Sequence, residues 1–239
     1  MGFPPTNMRF RQYDYAVIES YNPLTGVLKL EKPLSYYHYG AVNSTSIDYS
    51  GVEMRGQVLL LSRNVMIEGE NLDDQGCQIL TSSMQVGTNL LRGQTFMDHV
   101  EIYNCSQYGS PFKAAFRFED NAGLPSSITN VAMHHGLGLA FQIDSCQNVN
   151  LVNNTVWDFT KYAVNVSNSQ NINIIGNSIS VIQDRFLNEG ASSQVQPAGI
   201  VGCINSDCNN LRVLNNVISS VSYAGYITAG HECGESVSQ

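Results

Sequence analysis

The side chains with the most chemical potential centre on one adjacent pair, His134 and His135. Arg117, Glu119 and His99 join them if the segments that carry them lie on successive layers of one structure. Imidazoles beside a carboxylate and a guanidinium are the groups used for acid–base work. Neighbouring residues on a strand point to opposite faces, so one histidine is expected inside and only the other positioned to act. A packed, structural histidine pair is the plainer expectation. Glycoside hydrolysis needs two carboxyl groups flanking one bond. Here Asp98, Glu101, Glu119, Asp120, Asp144, Asp158 and Asp184 are dispersed, with no Asp-x-Asp or Asp-Asp pair in the strand-like segments. No spacing ensures three or four convergent metal ligands, so neither a metal nor a cofactor is expected. Calcium favours an Asp-rich turn, and Leu72-Asp73-Asp74 is the nearest approach. Trp157 and the run Tyr36-Tyr37-His38-Tyr39 can line a face for a glycan ligand, although cover for the end of the structure is the simpler role.

Four triplets fit the N-glycosylation acceptor pattern: Asn43 (NST), Asn104 (NCS), Asn153 (NNT) and Asn165 (NVS). An Asn-rich chain makes such triplets by chance. Taken with six cysteines and no C-x-x-C spacing, they point to an extracellular or cell-surface location. The formal net charge of −8 and a pI near 5.0 leave no basic stripe for nucleic acid. With 43% hydrophobic and 13% charged residues the chain is not a disordered solvating segment. No run of apolar residues is long enough to span a membrane. The opening MGFPPTNMRF lacks the apolar core of a signal peptide, and HECGESVSQ ends the chain without an obvious cap. A fragment of a larger secreted or membrane-anchored protein is therefore expected.

Asparagine is over-represented, with 24 residues, most of them after position 100. It is weak in helix and strand interiors but tolerates left-handed turns. The segments NVNLVNNTV (148–156), NINIIGNSI (171–179) and NNLRVLNNVI (209–218) align as repeats. Weaker copies begin at Thr129 and His99. Apolar residues alternate in each, as in Val149 and Leu151 or Ile172 and Ile174, which is the period of a strand with one buried face. Second strands follow at AFQI (140–143), AVNV (163–166), GIVGCI (199–204) and AGYIT (224–228), with AAFRF (114–118) upstream. Repeats this short cannot bury their own apolar face but can do so when stacked. The expected fold is all-β: a right-handed parallel β-helix over 58–239, with a loop insertion near 185–197, preceded by a small β-rich segment over 1–57. Asn154, Asn177 and Asn216 then share one repeat position and can form an amide ladder. Cys146 and Cys208 share another position but lie two rungs apart, too far to bond, so Cys203 with Cys208 is the expected disulfide. Exposed strand edges at both ends call for further domains or protein partners to cover them.

The first third carries a resemblance. Leu30, Pro33, Leu34, Tyr37, His38 and Gly40, followed by Val58, Leu60, Leu61, Ser62, Arg63, Asn64 and Val65, resemble the C-terminal half of the eight-glycine extracellular domain of the fibrocystin-like proteins and the cell-surface hyaluronidases. The stretch 126–166 is similar to the β-helix coils of that family. The resemblance implies a partial eight-glycine-type domain over 1–57 and a cell-surface, possibly ciliary, glycoprotein. The hyaluronidase branch resembles this chain through an apolar-His-Phe-His strand, where Ala115 and Arg117 stand in the histidine places. The expected function is thus a non-catalytic structural or interaction segment. The alternative is a polysaccharide-cleaving enzyme, hyaluronidase- or lyase-like, using His134, His135, Arg117 and Glu119.

Overall fold

In the computed structural model, the described residues are 1–3, 12–40, 56–70, 76–108, 113–183, 196–204 and 206–228. Three parallel sheets share one set of coils. The first stacks Val65–Glu68, Val100–Tyr103, Ala132–His134, Thr155–Phe159, Ser178–Ile182 and Val217–Val221. The second stacks Ile79–Ser82, Phe116–Glu119, Phe141–Asp144, Tyr162–Ser167, Ala198–Gly202 and Ala224–Thr228. The third stacks Phe96–Asp98, Ser126–Thr129, Gln147–Val152, Gln170–Ile175 and Asn209–Leu214. Each complete coil gives one strand to each sheet, so the chain is an all-β parallel β-helix, as its repeats predict.

The alternation in the sequence builds the core. Ile102, Met133, Val156 and Ile179 lie in register along the first sheet, Phe116, Phe141, Val164 and Ile200 along the second, and Ile128, Leu151 and Ile174 along the third. All are buried. At about 1.5–3 kcal/mol for each such side chain, this interior supplies the main driving force for stacking. The weaker copies at His99 and Thr129 belong to a different sheet from the three strong ones. Val100–Tyr103 and Ala132–His134 lie in the first sheet, whereas the strong copies open with strands of the third. Every sheet has the same two-residue period, so alternation alone does not separate them.

Asparagine has two physical roles. At the corner between the third and first sheets His99, Asn130, Asn153, Gly176 and Asn215 all adopt positive φ, from 54° to 68°. Asn accepts this left-handed turn at lower cost than most residues. Inside the stack, Asn154, Asn177 and Asn216 form the ladder their shared position predicts, largely through the backbone. Asn154 N–H donates to Asn177 Oδ1 and Asn177 N–H to Asn216 Oδ1, both at 2.9 Å. Their amide groups donate to the carbonyls of Ile128, Leu151 and Ile174. Purely amide-to-amide ladders run outside, from Asn210 to Asn171 to Asn148 and from Asn173 to Asn150.

Two disulfides are present among the described residues. Cys203 is bonded to Cys208, and Cys77 to Cys105 on the next coil, where the two residues also form a parallel bridge. Cys146 is buried as a thiol, and its amide donates to Ser169 Oγ on the following rung. Burial pushes that thiol up to about 11.

The N-terminal part lies against the outside of the first sheet. Ile18–Asn22 and Val27–Leu30 form a hairpin whose turn has Gly26 at φ 69°. Residues 57–63 form an extended strap along the helix axis. Ser219 Oγ bonds Gln57 Oε1 near one end, and the Arg63 amide bonds Glu101 at the other. Six extended residues reach about 20 Å, matching four rung spacings of about 4.8 Å. Leu59 and Leu61 face inward onto Trp157 and Val181, while Val58 and Leu60 face solvent. Gly2–Phe3 pairs with Asp14–Tyr15 and bridges Leu59, which completes a small antiparallel cover.

Candidate functional site

Beneath one end of this cover lies His134. It stands on the outer side of the first sheet, in a column with Tyr103 before it and Trp157, Ser180 and Ser219 after it. His134 Nε2 is 3.0 Å from Glu101 Oε1. The other Glu101 oxygen accepts the Arg63 amide at 2.8 Å, and Arg63 Nε donates to the carbonyl of Asn130. Glu101 and His134 are both buried, at 8% and 1% exposure. Burial is the main influence on His134 and lowers its pKa, against the opposing pull of the Glu101 carboxylate. Tyr15 stacks over His134 with ring centroids 6.3 Å apart and meets His135 edge-on at 5.0 Å. Burial, then the charge of Glu101, raises the pKa of Tyr15.

The two histidines do not point to opposite faces. His134 Nδ1 and His135 Nδ1 are 2.8 Å apart. The strand ends at His134, and His135 takes the left-handed corner at φ 54°, which swings its ring back beside its neighbour. The same corner on adjacent coils is held by Asn104 and Asp158. The half-buried His135 also packs against Trp157, with centroids 5.0 Å apart.

Arg117 and Glu119 do not join this cluster. They are on the second sheet, paired with each other at 2.7 Å. His99 is at the corner before the first sheet, exposed and paired with Asp98 at 2.9 Å. The proposed shared surface is therefore divided, because strands consecutive in sequence feed different sheets. The groups that do surround His134 are Glu101, Arg63, Tyr15, Tyr103 and Trp157. Glu101 was visible only as one dispersed acid. Its signal is the outward phase of Val-Glu-Ile-Tyr, whose coil lies next to that of Ala-Met-His. Together Glu101, His134 and His135 can hold and pass a proton, but Tyr15 and the strap cover the inner histidine.

Trp157 is fully buried under Tyr13, Leu59 and Leu61 rather than lining an open face. Tyr36 and Tyr37 are exposed. His38 is tied to Asp14, whose carboxylate also accepts the amides of Ser35 and Tyr36. Burial pushes the Asp14 carboxyl up, but these hydrogen bonds, that of His38 first, hold its pKa below the ordinary value. Among the described residues no group of three or more His, Cys, Asp or Glu side chains can hold a metal. No helix among the described residues is long and apolar enough to cross a membrane.

Three of the glycosylation acceptors are placed. Asn104 donates its amide to the carbonyl of Gly69, and the hydroxyl of its triplet partner Ser106 is buried against the amide of Gly138. Asn165 donates to Gln142 Oε1. Asn153 is exposed at a corner. Asn43, Asp73, Asp74 and most of the 185–197 insertion lie outside the described residues.

Among known proteins, Fibrocystin-L from Homo sapiens is 25% identical over an alignment 227 residues long that covers 87% of this chain. The chain spans about 5% of the length of that relative. No family model and no solved structure matches it.

Proposed function

We propose that the chain is a non-catalytic segment of a large fibrocystin-like cell-surface glycoprotein, a stiff spacer and interaction surface held outside the cell. The observation that carries this reading is the division of the acid–base groups. Arg117 and Glu119 occupy one sheet, and His134 is sealed on another beneath Tyr15. A polysaccharide-cleaving centre needs such groups to converge on one open groove. The unbroken stacking of apolar columns and amide ladders suits a rod that bears load along its axis. Similarity to the much longer Fibrocystin-L agrees with a role as one part of a longer chain. Further domains or protein partners then cover the strand edges at the two ends, and a cilium is one setting for such a surface. Among the described acceptors, exposed Asn153 is the best placed to carry an N-glycan, with Asn43, Asn104 and Asn165 as the further acceptors.

The test is a cleavage assay on hyaluronan and other acidic polysaccharides, read by product size, beside surface labelling of intact cells that express the parent protein. No cleavage together with surface labelling is expected. Cleavage that is lost in a His135→Asn variant overturns the reading in favour of the enzyme.

A further inference from the structure

The contact between His134 and His135 sets a limit on how many protons the pair can carry. A hydrogen bond between two imidazole nitrogens 2.8 Å apart needs one donor and one acceptor. His134 Nε2 faces the Glu101 carboxylate, so that nitrogen carries a proton. Two states fit this geometry: both rings neutral, or one imidazolium balanced by Glu101. A doubly protonated pair does not fit, because two N–H groups would then point at each other between two like charges.

We propose that Glu101, His134 and His135 form an acid-sensitive latch that holds the Tyr13–Ala16 segment on the first sheet near neutral pH and releases it when the second imidazole is protonated. The segment is attached at this point. Tyr15 lies on both imidazoles and on Trp157, and Tyr13 meets Trp157 edge-on. The charged and titratable groups around the pair set its response. Glu101 and Tyr103 face it from the preceding coil, Tyr15 from the cover, and Arg63 from the strap. Asp158 occupies the equivalent corner on the next coil, and Glu68 the column position before Tyr103. Glu101 supplies the close counter-charge for one proton, and Arg63 opposes a second. Burial lowers the pKa of His134, so folding favours its neutral form. The stability of the contact is then present above the ordinary imidazole value of about 6.5 and is lost as pH falls toward the lowered one.

Trp157 is the sole tryptophan of the chain and packs against His135, so its fluorescence reports on the latch. Emission is followed between about pH 7.5 and 5, with chymotrypsin cleavage at Tyr13 and Tyr15 and far-UV dichroism measured in parallel. The expected result is a change in Trp157 emission and a several-fold rise in cleavage, with the dichroism of the stacked coils unchanged. The variant His135→Asn suits the corner, because Asn104 holds the same position one coil earlier. With a single imidazole left, whose one extra proton Glu101 balances, the variant should show no transition over this interval. Wild-type protein with no change over this interval overturns the proposal, as does loss of the whole fold at the same pH. A variant with the wild-type midpoint overturns it too. If the variant fails to fold, the wild-type titration decides alone.

Discussion

Replacing Asn177 with alanine tests whether the buried amide ladder holds the coils together. Asn177 is 3% exposed. Its Oδ1 accepts the Asn154 amide at 2.9 Å, and its Nδ2 donates to the Leu151 carbonyl at 3.0 Å and to Asn216 Oδ1 at 2.9 Å. Three bonds at about 1 kcal/mol each give a loss of about 3 kcal/mol, and the orphaned Asn154 amide adds to it. Asn171 is the control. It belongs to the exposed ladder, donating to Asn148 and accepting from Asn210 in reach of water. Its alanine variant loses little from these water-exposed bonds but sets Ala at φ 54°, so it should cost about 1 kcal/mol, a third of the Asn177 loss. The assay is urea unfolding followed by dichroism. For a chain of this size the slope is about 2–3 kcal/mol per molar urea, so Asn177→Ala should lower the midpoint by about 1 M and Asn171→Ala by much less. Equal shifts for the two variants would refute the argument that burial makes the inner ladder the stabilising one.

Three further outcomes follow from other parts of the structure. Leu61→Ala removes a side chain packed over Trp157 and should cost about 2–4 kcal/mol, with Trp157 emission moving to the red as the strap loosens. The depressed pKa of Asp14 contributes stability that is present above the ordinary carboxyl value and lost as pH falls through the lowered one. Melting temperature against pH should therefore fall in acid, and Asp14→Asn should flatten that fall. Cys146, buried with its pKa near 11, should resist alkylation at pH 8 until the chain is unfolded. Label found on Cys146 in a peptide map of the native protein would contradict its burial.

Much of the stack was legible because its strongest signals are local. Val149 with Leu151 and Ile172 with Ile174 repeat at one spacing, and that spacing is the rung. The shared position of Asn154, Asn177 and Asn216 likewise forecasts contact. What stayed hidden depends on three-dimensional turns or on segments far apart in sequence. The pairing of Cys77 with Cys105 spans 28 residues and needs the path of a whole coil to be known. The meeting of His134 with His135 depends on a left-handed corner that strand alternation does not reveal, although His takes such corners more readily than most residues. The strap from Gln57 to Arg63 shows strand alternation, so it reads as one more rung. Its course along the axis is set by Trp157 and Val181, which are about a hundred residues away in sequence.

The surface-glycoprotein reading is tested most directly by the intact mass of the native protein before and after amidase removal of N-glycans, with a peptide map across Asn153. The account predicts a glycan on Asn153. An unmodified Asn153 in protein recovered from inside the cell would contradict it.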